Sequence, residues 1–263
     1  MAVDVIVKHL GFSRNYFSAV ENERSLLADD KLSALIELLE FDEAEGCELI
    51  QLSAMARKQS LWARYTDILG EDTVRFLSLE DGAQSIKIFE SLLIPGLLQV
   101  PEYTRAVVAF DPSFGQVHVD QLTAIRQERQ KKIQEEGVEF IALLSEAALR
   151  QQWGGSDIQV QQLEHLLDLG RDGSPIEIRV LPFDRPPGSI ASSSTMVLLG
   201  FASPHLPTLV YQEAVRSLEV VDEDDDQFLR LKLAWDEGLS RALDARDSRE
   251  FIRRVAESIQ SDS

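Results

Sequence analysis

The start of the chain contains two short apolar patterns separated by a glycine and a serine, which restricts it to a helical hairpin. Apolar residues recur at helical spacing before the break, and Gly11 then supplies the left-handed conformation that ends a helix. Ser13 is a strong N-cap for a second helix. The residues that predict the buried faces are Ile6, Val7 and Leu10 in the first helix and Phe17 and Val20 in the second.

The second helix carries polar residues on the face away from its apolar positions. Arg14, Asn15 and Ser18 fall near its N-terminus, where a recognition helix presents side chains to the major groove of DNA. Phe12 is expected to fill the turn. An ordinary helical hairpin without a DNA role is the alternative interpretation of the same pattern.

Residues 10–22 resemble the Xre/Cro, or lambda-repressor-like, DNA-binding domain. The resemblance rests on Leu10-Gly11-x-Ser13 followed by Tyr16-Phe17-Ser18-x-Val20-Glu21-Asn22. It implies a small all-α head in which Ser13 caps the recognition helix. The residues expected to contact bases or phosphates are Arg14, Asn15 and Ser18, with Tyr16 and Arg24 toward the DNA backbone.

The head departs from that family's pattern in ways that leave it incomplete. A lambda-repressor-like domain has five helices, and this chain starts within the second, with Val3 where the family often has a phosphate-contacting Gln. Glu23 replaces the usual Gly after the recognition helix, so Asn22 is expected to take the left-handed position. Leu27 and Ala28 replace the usual Pro-Ser, which leaves Asp29 or Asp30 as the expected cap of the next helix.

The charge of the chain argues against DNA binding by its whole surface. The formal net charge is -19, and residues 1–57 alone carry five basic against eleven acidic side chains. Lys and Arg provide much of the affinity for DNA by releasing counterions. We therefore expect weak, strongly salt-dependent binding to a double-stranded operator through a narrow positive face, and a homodimer that contacts two half-sites.

Several features indicate a cytoplasmic globular protein. The 263 residues suffice for a small head and a larger domain with its own core, and 44% of them are hydrophobic. No apolar run approaches the roughly 20 residues of a membrane helix. The start lacks the layout of a signal peptide. The single cysteine, Cys47, excludes an internal disulfide, and we expect it to be a small buried or half-buried residue.

Beyond the head the pattern becomes mixed, which predicts an α+β fold. We place the boundary at residue 57, with a DNA-binding head and helical linker over 1–57 and a regulatory or interaction domain over 58–263. Alternating or continuous apolar runs predict a sheet of about five strands flanked by helices. The predicted strands lie at 85–90, 138–144, 176–180, 196–201 and 209–211.

Phrases along this second domain resemble one bacterial family, the antitoxin-like transcriptional regulators, in which an Xre-type head precedes a large domain without assigned function. The resemblance covers nearly the whole chain. It implies a transcriptional regulator, often paired with a small partner protein, and no catalysis. In chain order the phrases are IPGLLQVPEY at 94–103, RQERQ at 126–130, SEAALR at 145–150, GG at 154–155, QLEHLL at 162–167, VLPF at 180–183 and VYQE at 210–213.

One charged residue in this domain calls for a partner. Arg129 falls on the apolar stripe of its helix, where an unpaired charge is costly. Glu146 directly follows a predicted buried strand. We expect Arg129 to reach Glu146 or Glu213 in a partly buried ion pair that supports the scaffold. The alternative is that the charged side chains are solvated and do not contact each other.

Signals for catalysis or for a cofactor are absent from the sequence. It contains no glycine-rich phosphate loop, no Gly-x-Ser-x-Gly elbow and no HExxH. Its four histidines and one cysteine show no metal spacing. The leading hypothesis is a DNA-binding regulator whose larger domain serves dimerisation and partner or ligand sensing. The alternative is a toxin-neutralising interaction module whose truncated head no longer binds DNA.

Overall fold

The computed structural model describes residues 3–22, 24–110, 115–135, 137–202, 208–214, 217–221 and 226–262. The chain divides into two compact units, which we call the helical unit (Met1–Gly82) and the sheet unit (Ala83–Ser263). The division falls after Gly82, whereas the boundary predicted at residue 57 lies inside one long helix, Glu43–Trp62. Among the described residues, no helix is long and apolar enough to cross a membrane.

The helical unit contains only helices in its described part. The helices continue beyond residue 65, where Gly70, at φ +78°, separates a short helix from a longer one. The longer one packs on Glu43–Trp62, which is why the unit extends past the predicted boundary. The helices are α1 (Val3–Leu10), α2 (Arg14–Glu21), α3 (Asp29–Leu38), α4 (Glu43–Trp62), α5 (Thr66–Leu69) and α6 (Glu71–Gly82).

The sheet unit confirms the predicted α+β class, with a mixed sheet flanked by helices. The described sheet has one strand more than the expected five, because Ser217–Val221 also pairs. The strands are β1 (Ser85–Glu90), β2 (Glu139–Ser145), β3 (Ile176–Leu181), β4 (Thr195–Gly200), β5 (Leu209–Ala214) and β6 (Ser217–Val221). The helices are α7 (Pro101–Ala109), α8 (Gln116–Glu135), α9 (Glu146–Arg150), α10 (Ser156–Leu169), α11 (Asp226–Arg241) and α12 (Ala245–Ser261).

The sheet has two halves of different direction. Its order is β3-β2-β1-β4-β5-β6, in which β1, β2 and β3 are parallel and β4, β5 and β6 pair antiparallel. Helices α7 and α8 connect β1 to β2, and α9 and α10 connect β2 to β3, as parallel neighbours require. The carboxyl ends of the three parallel strands therefore share one edge of the sheet.

Helices cover both faces of the central strands. Phe140, Ala142, Leu143 and Leu144 of β2 are all fully buried, which explains why this strand is a continuous apolar run and not an alternating one. On one face, Trp235 of α11 joins the core formed by residues of β1 to β5. The apolar surface buried here is the main stabilising contribution to the unit.

The outer edge of β3 is closed by the chain between α11 and α12. The amide of Val180 donates to Ser248 Oγ at 3.0 Å, and its carbonyl accepts from the amide of Leu243 at 2.9 Å. Ser248 is itself fully buried. The backbone groups of Val180 on this edge are thus paired, so this part of the strand cannot add another strand.

A loop after β3 is fastened to α11 by one half-buried carboxylate. Glu237 Oε2 accepts from the amide and the hydroxyl of Ser189, at 3.0 and 2.9 Å, and Oε1 accepts from Arg241 at 2.8 Å. Gly188 has φ +75°, and a β-carbon there would lie 2.5 Å from the Glu237 carboxylate. The Ser189 amide, ahead of the other donors, holds the pKa of Glu237 below its ordinary value.

This contact predicts a local response to acid. Because the folded-state pKa of Glu237 is lowered, its contribution is complete above the ordinary glutamate range near pH 4.3 and is lost as pH falls through the folded pKa. We expect the protection factor of the Ser189 amide, which corrects its exchange rate for the intrinsic effect of pH, to fall in acid, and Glu237→Gln to flatten that dependence. Asp236→Asn, at the exposed neighbouring position, serves as the control. Equal pH dependence in all three proteins would contradict the assignment.

Candidate nucleic-acid interface and the polar network of the sheet unit

The turn between α1 and α2 has the geometry that its sequence predicts. Gly11 lies at φ +66°, and the amide of Phe12 donates back to the carbonyl of Val7 at 3.0 Å. Ser13 has extended backbone, and its hydroxyl accepts from the amide of Tyr16 at 3.1 Å. The glycine stop and the serine cap are confirmed.

A small aromatic and aliphatic core fixes α2 on its neighbours. Phe17 is buried with Ile6 and Leu10 of α1, and residues of α3 pack against them. The Phe12 ring meets Tyr16 edge-on at 5.1 Å between centroids and stacks on Phe17 at 6.1 Å. α2 is therefore held by side-chain packing as well as by the turn.

α3 is tied to the end of α1 by a lysine. The ammonium of Lys31 donates to the carbonyl of Leu10 at 3.0 Å and lies 5.9 Å from the centroid of the Phe12 ring. The bond satisfies a carbonyl in the last turn of a helix, where no intrahelical partner exists. It also places a positive charge behind the turn, where the α1 dipole favours it.

The residues predicted to contact DNA gather on the exposed side of α2. Ser13, Arg14, Asn15 and Ser18 are all exposed, and so is Arg24 beyond the helix. Tyr16 is half-buried, and its hydroxyl donates to the carbonyl of Leu26 at 3.0 Å. Tyr16 thus supports the loop after α2 and leaves the outer surface to the other predicted residues.

The end of α2 differs from the expectation. Asn22 has φ -99° and ψ 21°, so it does not take the left-handed position. Its side-chain amide donates to the carbonyl and the hydroxyl of Ser18, at 2.7 and 3.3 Å, and its backbone amide also reaches that carbonyl. Because the amide satisfies the terminal carbonyl, the helix ends without a left-handed residue at this position.

The predicted cap of the next helix is also wrong. α3 begins at Asp29, and its N-cap is Ala28, which forms no side-chain cap bond. Asp29 and Asp30 lie in the first turn, where the helix dipole favours acids. The Asp29 carboxylate instead pairs with Arg57 of α4 at 2.8 Å, and Arg57 also donates to the carbonyl of Leu27.

In the sheet unit, Glu146 has partners other than the predicted one. Its Oε1 accepts from Arg150 at 2.6 Å, and its Oε2 accepts from the amide of Phe183 at 2.8 Å. The buried carboxylate therefore joins the ends of β2 and β3. Arg129 lies beside Gly96, and the side chain of Glu213 is outside the described residues. The pairing of Arg129 with Glu146 or Glu213 stays a prediction.

The loop after β1 is fixed by a buried glutamine. Gln99 Nε2 donates to the carbonyl of Ile94 at 2.6 Å, which closes the loop on itself. Gln99 Oε1 accepts from the Thr104 hydroxyl at 2.9 Å and from the Arg126 guanidinium at 2.5 Å. Gln99 is 3% exposed, so these bonds replace those that water would otherwise provide.

Two further glutamines hold the same loop from two different helices. Gln130 of α8 donates to the carbonyls of Gly96 and Gln99, at 3.0 and 2.7 Å. Gln162 of α10 is fully buried; it accepts from the amide of Val100 and donates to the carbonyl of Leu98, each at 2.7 Å. Residues 94–100, called the pinned loop below, are therefore fixed from both sides.

A buried tyrosine lies beneath the pinned loop. The hydroxyl of Tyr103 accepts from the amide of Ile94 at 3.2 Å. Burial, more than any other cause, raises the pKa of Tyr103, the Glu90 charge adds to it, and the amide bond and Arg126 oppose it. Tyr103 stays protonated. Glu90 is also buried and accepts from the Thr195 hydroxyl at 2.9 Å.

This polar network forms a scaffold for the pinned loop. Both polar atoms of Gln99 and of Gln162 bond to protein groups. Within the described ranges, no three His, Cys, Asp or Glu residues gather in a way that could hold a metal ion. Arg14, Asn15 and Ser18 of α2, by contrast, are exposed.

The network was missed from the sequence, although one signal was present. Gln159 and Gln162 interrupt the apolar face of α10, which carries Leu163 and Leu166, and both are fully buried. A polar residue on an apolar helix face indicates a buried hydrogen bond. Its partners could not be inferred, because the pinned loop lies more than 60 residues earlier in the chain.

Together these features define a class: a helical unit that carries a turn between two short helices, followed by an α+β domain built on a mixed sheet. Residues 73–254 match the domain of unknown function DUF5753. The chain belongs to that family, and the match covers most of the sheet unit but none of α1 to α5. No curated protein and no solved structure matches the chain significantly.

Proposed function

We propose that the protein is a DNA-binding transcriptional regulator that places α2 in the major groove. The observation that supports it is that one side of α2 is buried in the core and another side is exposed. Phe17 anchors the helix in the core, while Arg14, Asn15 and Ser18 are exposed near its capped N-terminus. This is the arrangement that a recognition helix needs to reach base edges from a fixed support.

Charge determines how such a head binds. Arg14 and Arg24 are exposed, and Lys8 and His9 lie in the last turn of α1. Acidic residues outnumber basic ones across residues 1–57, so attraction is confined to this narrow face. Binding is therefore weak for one head and steeply salt-dependent, and it uses two heads on two half-sites. We place the protein in the cytoplasm, where bacterial DNA is found.

The test begins with DNA selected from a random duplex pool, followed by fluorescence anisotropy at several salt concentrations. Arg14→Ala should raise the Kd about 5- to 150-fold, because a base contact by arginine contributes about 1–3 kcal/mol. Arg230→Ala removes an equally exposed charge from α11 of the sheet unit and serves as the matched control. Equal affinity of both variants would contradict the assignment of α2.

A second candidate follows from the acidity of the chain. A net charge of -19 favours capture of a small basic protein, as a toxin-neutralising module would require. In that case the chain purifies with such a partner, salt releases it, and no duplex from the pool is enriched. Enrichment of a duplex whose affinity depends on Arg14 would favour the first proposal.

A further inference from the structure

The segment between α2 and α3, residues 24–28, is held to α2 by a tyrosine hydroxyl. These residues are called the arm below. The Tyr16 hydroxyl donates to the carbonyl of Leu26 at 3.0 Å, and the Phe12 ring meets the Tyr16 ring edge-on with 5.1 Å between centroids. Leu26 itself is 45% exposed, so burial of its side chain contributes little to holding the arm. The hydroxyl bond therefore fixes the middle of the arm to α2.

The two ends of the arm are also tied to the helical unit. The amide of Arg24 donates to the carbonyl of Ala19 at 2.7 Å, which joins the start of the arm to the end of α2. At the other end, the Arg57 guanidinium of α4 donates to the carbonyl of Leu27 and pairs with Asp29. An arm fixed at these points keeps one conformation before a ligand arrives, so binding does not have to order it.

Arg24 is the charged side chain that the arm presents to solvent. It is exposed and lies just past the end of α2. A recognition helix directs its N-terminal residues at base edges, and the segments beside it lie over the sugar–phosphate strands. An arginine in that place can make a charge-assisted hydrogen bond to a phosphate. The Tyr16 hydroxyl, in contrast, already donates to a carbonyl of the protein.

We propose that Tyr16 is a positioning residue for a phosphate contact made by Arg24. Tyr16 does not itself bind DNA in this assignment. Its hydroxyl holds the arm, and the arm places the Arg24 guanidinium beside the DNA backbone. The assignment rests on the proposed function, because the phosphate contact accompanies insertion of α2 into the major groove. It gives different roles to two residues for which the sequence predicted the same one.

The salt dependence of DNA binding distinguishes a positioning role from a direct contact. Each phosphate that a cation neutralises adds about 0.9 to the magnitude of the slope of log K against log salt concentration, whereas a neutral hydroxyl releases no counterion. Arg24→Ala should therefore reduce the slope by about 1. Tyr16→Phe removes no charge, yet it should also reduce the slope and raise the Kd about 2- to 5-fold, because Arg24 is no longer held at the phosphate.

A double variant and a matched control complete this test. Tyr16→Phe combined with Arg24→Ala should bind no more weakly than Arg24→Ala alone, because Tyr16 acts through Arg24. Tyr65→Phe makes the same chemical change elsewhere in the helical unit, where the ring neighbours are Trp62 and Arg64, and should alter neither the slope nor the Kd. An unchanged slope in Tyr16→Phe, additive effects in the double variant, or an equal loss in Tyr65→Phe would overturn the positioning role.

A measurement without DNA separates failure of the positioning role from failure of the proposed function. In Tyr16→Phe the protection factor of the Arg24 amide in hydrogen exchange should fall, because its bond to the carbonyl of Ala19 opens more often once the arm is released. Tyr65→Phe should leave it unchanged. An unchanged protection factor in Tyr16→Phe would overturn the positioning role whether or not DNA binds. A fall in protection in a protein that enriches no duplex would contradict the proposed function, and with it the phosphate contact of Arg24.

Discussion

Replacing Gln162 with leucine should lower the free energy of unfolding of the sheet unit by about 2 to 5 kcal/mol. The change removes two hydrogen bonds between Gln162 and the pinned loop. Gln162 accepts one from the amide of Val100 and donates the other to the carbonyl of Leu98. Leu98 is fully buried and Val100 nearly so. A buried backbone group left without a partner costs about 1 to 3 kcal/mol.

The neighbouring residue offers a matched control for this prediction. Gln161→Leu makes the same chemical change one position earlier, where the side chain is exposed, and should alter stability by less than about 0.5 kcal/mol. Urea unfolding followed by tryptophan fluorescence compares the two variants, because Trp235 lies in the core of the unit. Equal midpoints would show that the pinned loop does not depend on Gln162.

Replacing Phe17 with alanine should unfold the start of the helical unit. Phe17 is 7% exposed and packs with Ile6 and Leu10, so its truncation leaves a cavity in a very small core. Loss of a buried phenylalanine costs about 3 to 5 kcal/mol, a large fraction of what such a core contributes. We expect the amides of α1 to α3 to lose protection in hydrogen exchange, and the proposed DNA binding to be lost with them.

The sheet unit provides an internal reference in the same experiment, because protection of β1 and β2 should not change. Phe41→Ala is the control in the helical unit, since Phe41 is 39% exposed and its removal leaves little cavity. Unchanged protection of α2 in Phe17→Ala would show that the packing around Phe17 does not hold the helix. Loss of protection in both variants would show a general instability of the unit.

Local signals explain most of the elements that the sequence predicted. The stop at Gly11, the cap at Ser13 and the alternation in β3 depend on residues within a few positions of one another, so periodicity and capping rules suffice. β6 was missed because its five residues form a short strand, which is defined by pairing with β5. Such pairing is a property of the assembled sheet.

For the predicted site residues, too, local sequence determined some properties and tertiary structure determined others. The exposure of Arg14, Asn15 and Ser18 follows from the position of Phe17 on the same helix, and the structure confirms it. The role of these residues in DNA binding stays a prediction. The expected ion pair of Arg129 with Glu146 or Glu213 also stays a prediction. One partner that Glu146 does have is the amide of Phe183, which lies 37 residues away and follows a different strand.

The sequence by itself determined the helical hairpin at the start, the α+β class and the polar face of α2, because each depends on spacing along one segment. Tertiary structure alone decided that Gln99, Gln130 and Gln162 converge on the pinned loop and that Cys47 of α4, which was expected to be buried or half-buried, is exposed. The physical reason is that a buried hydrogen bond or an exposed side chain depends on which segments lie nearby in space. Spacing along the chain gives the face of a helix but not its neighbour.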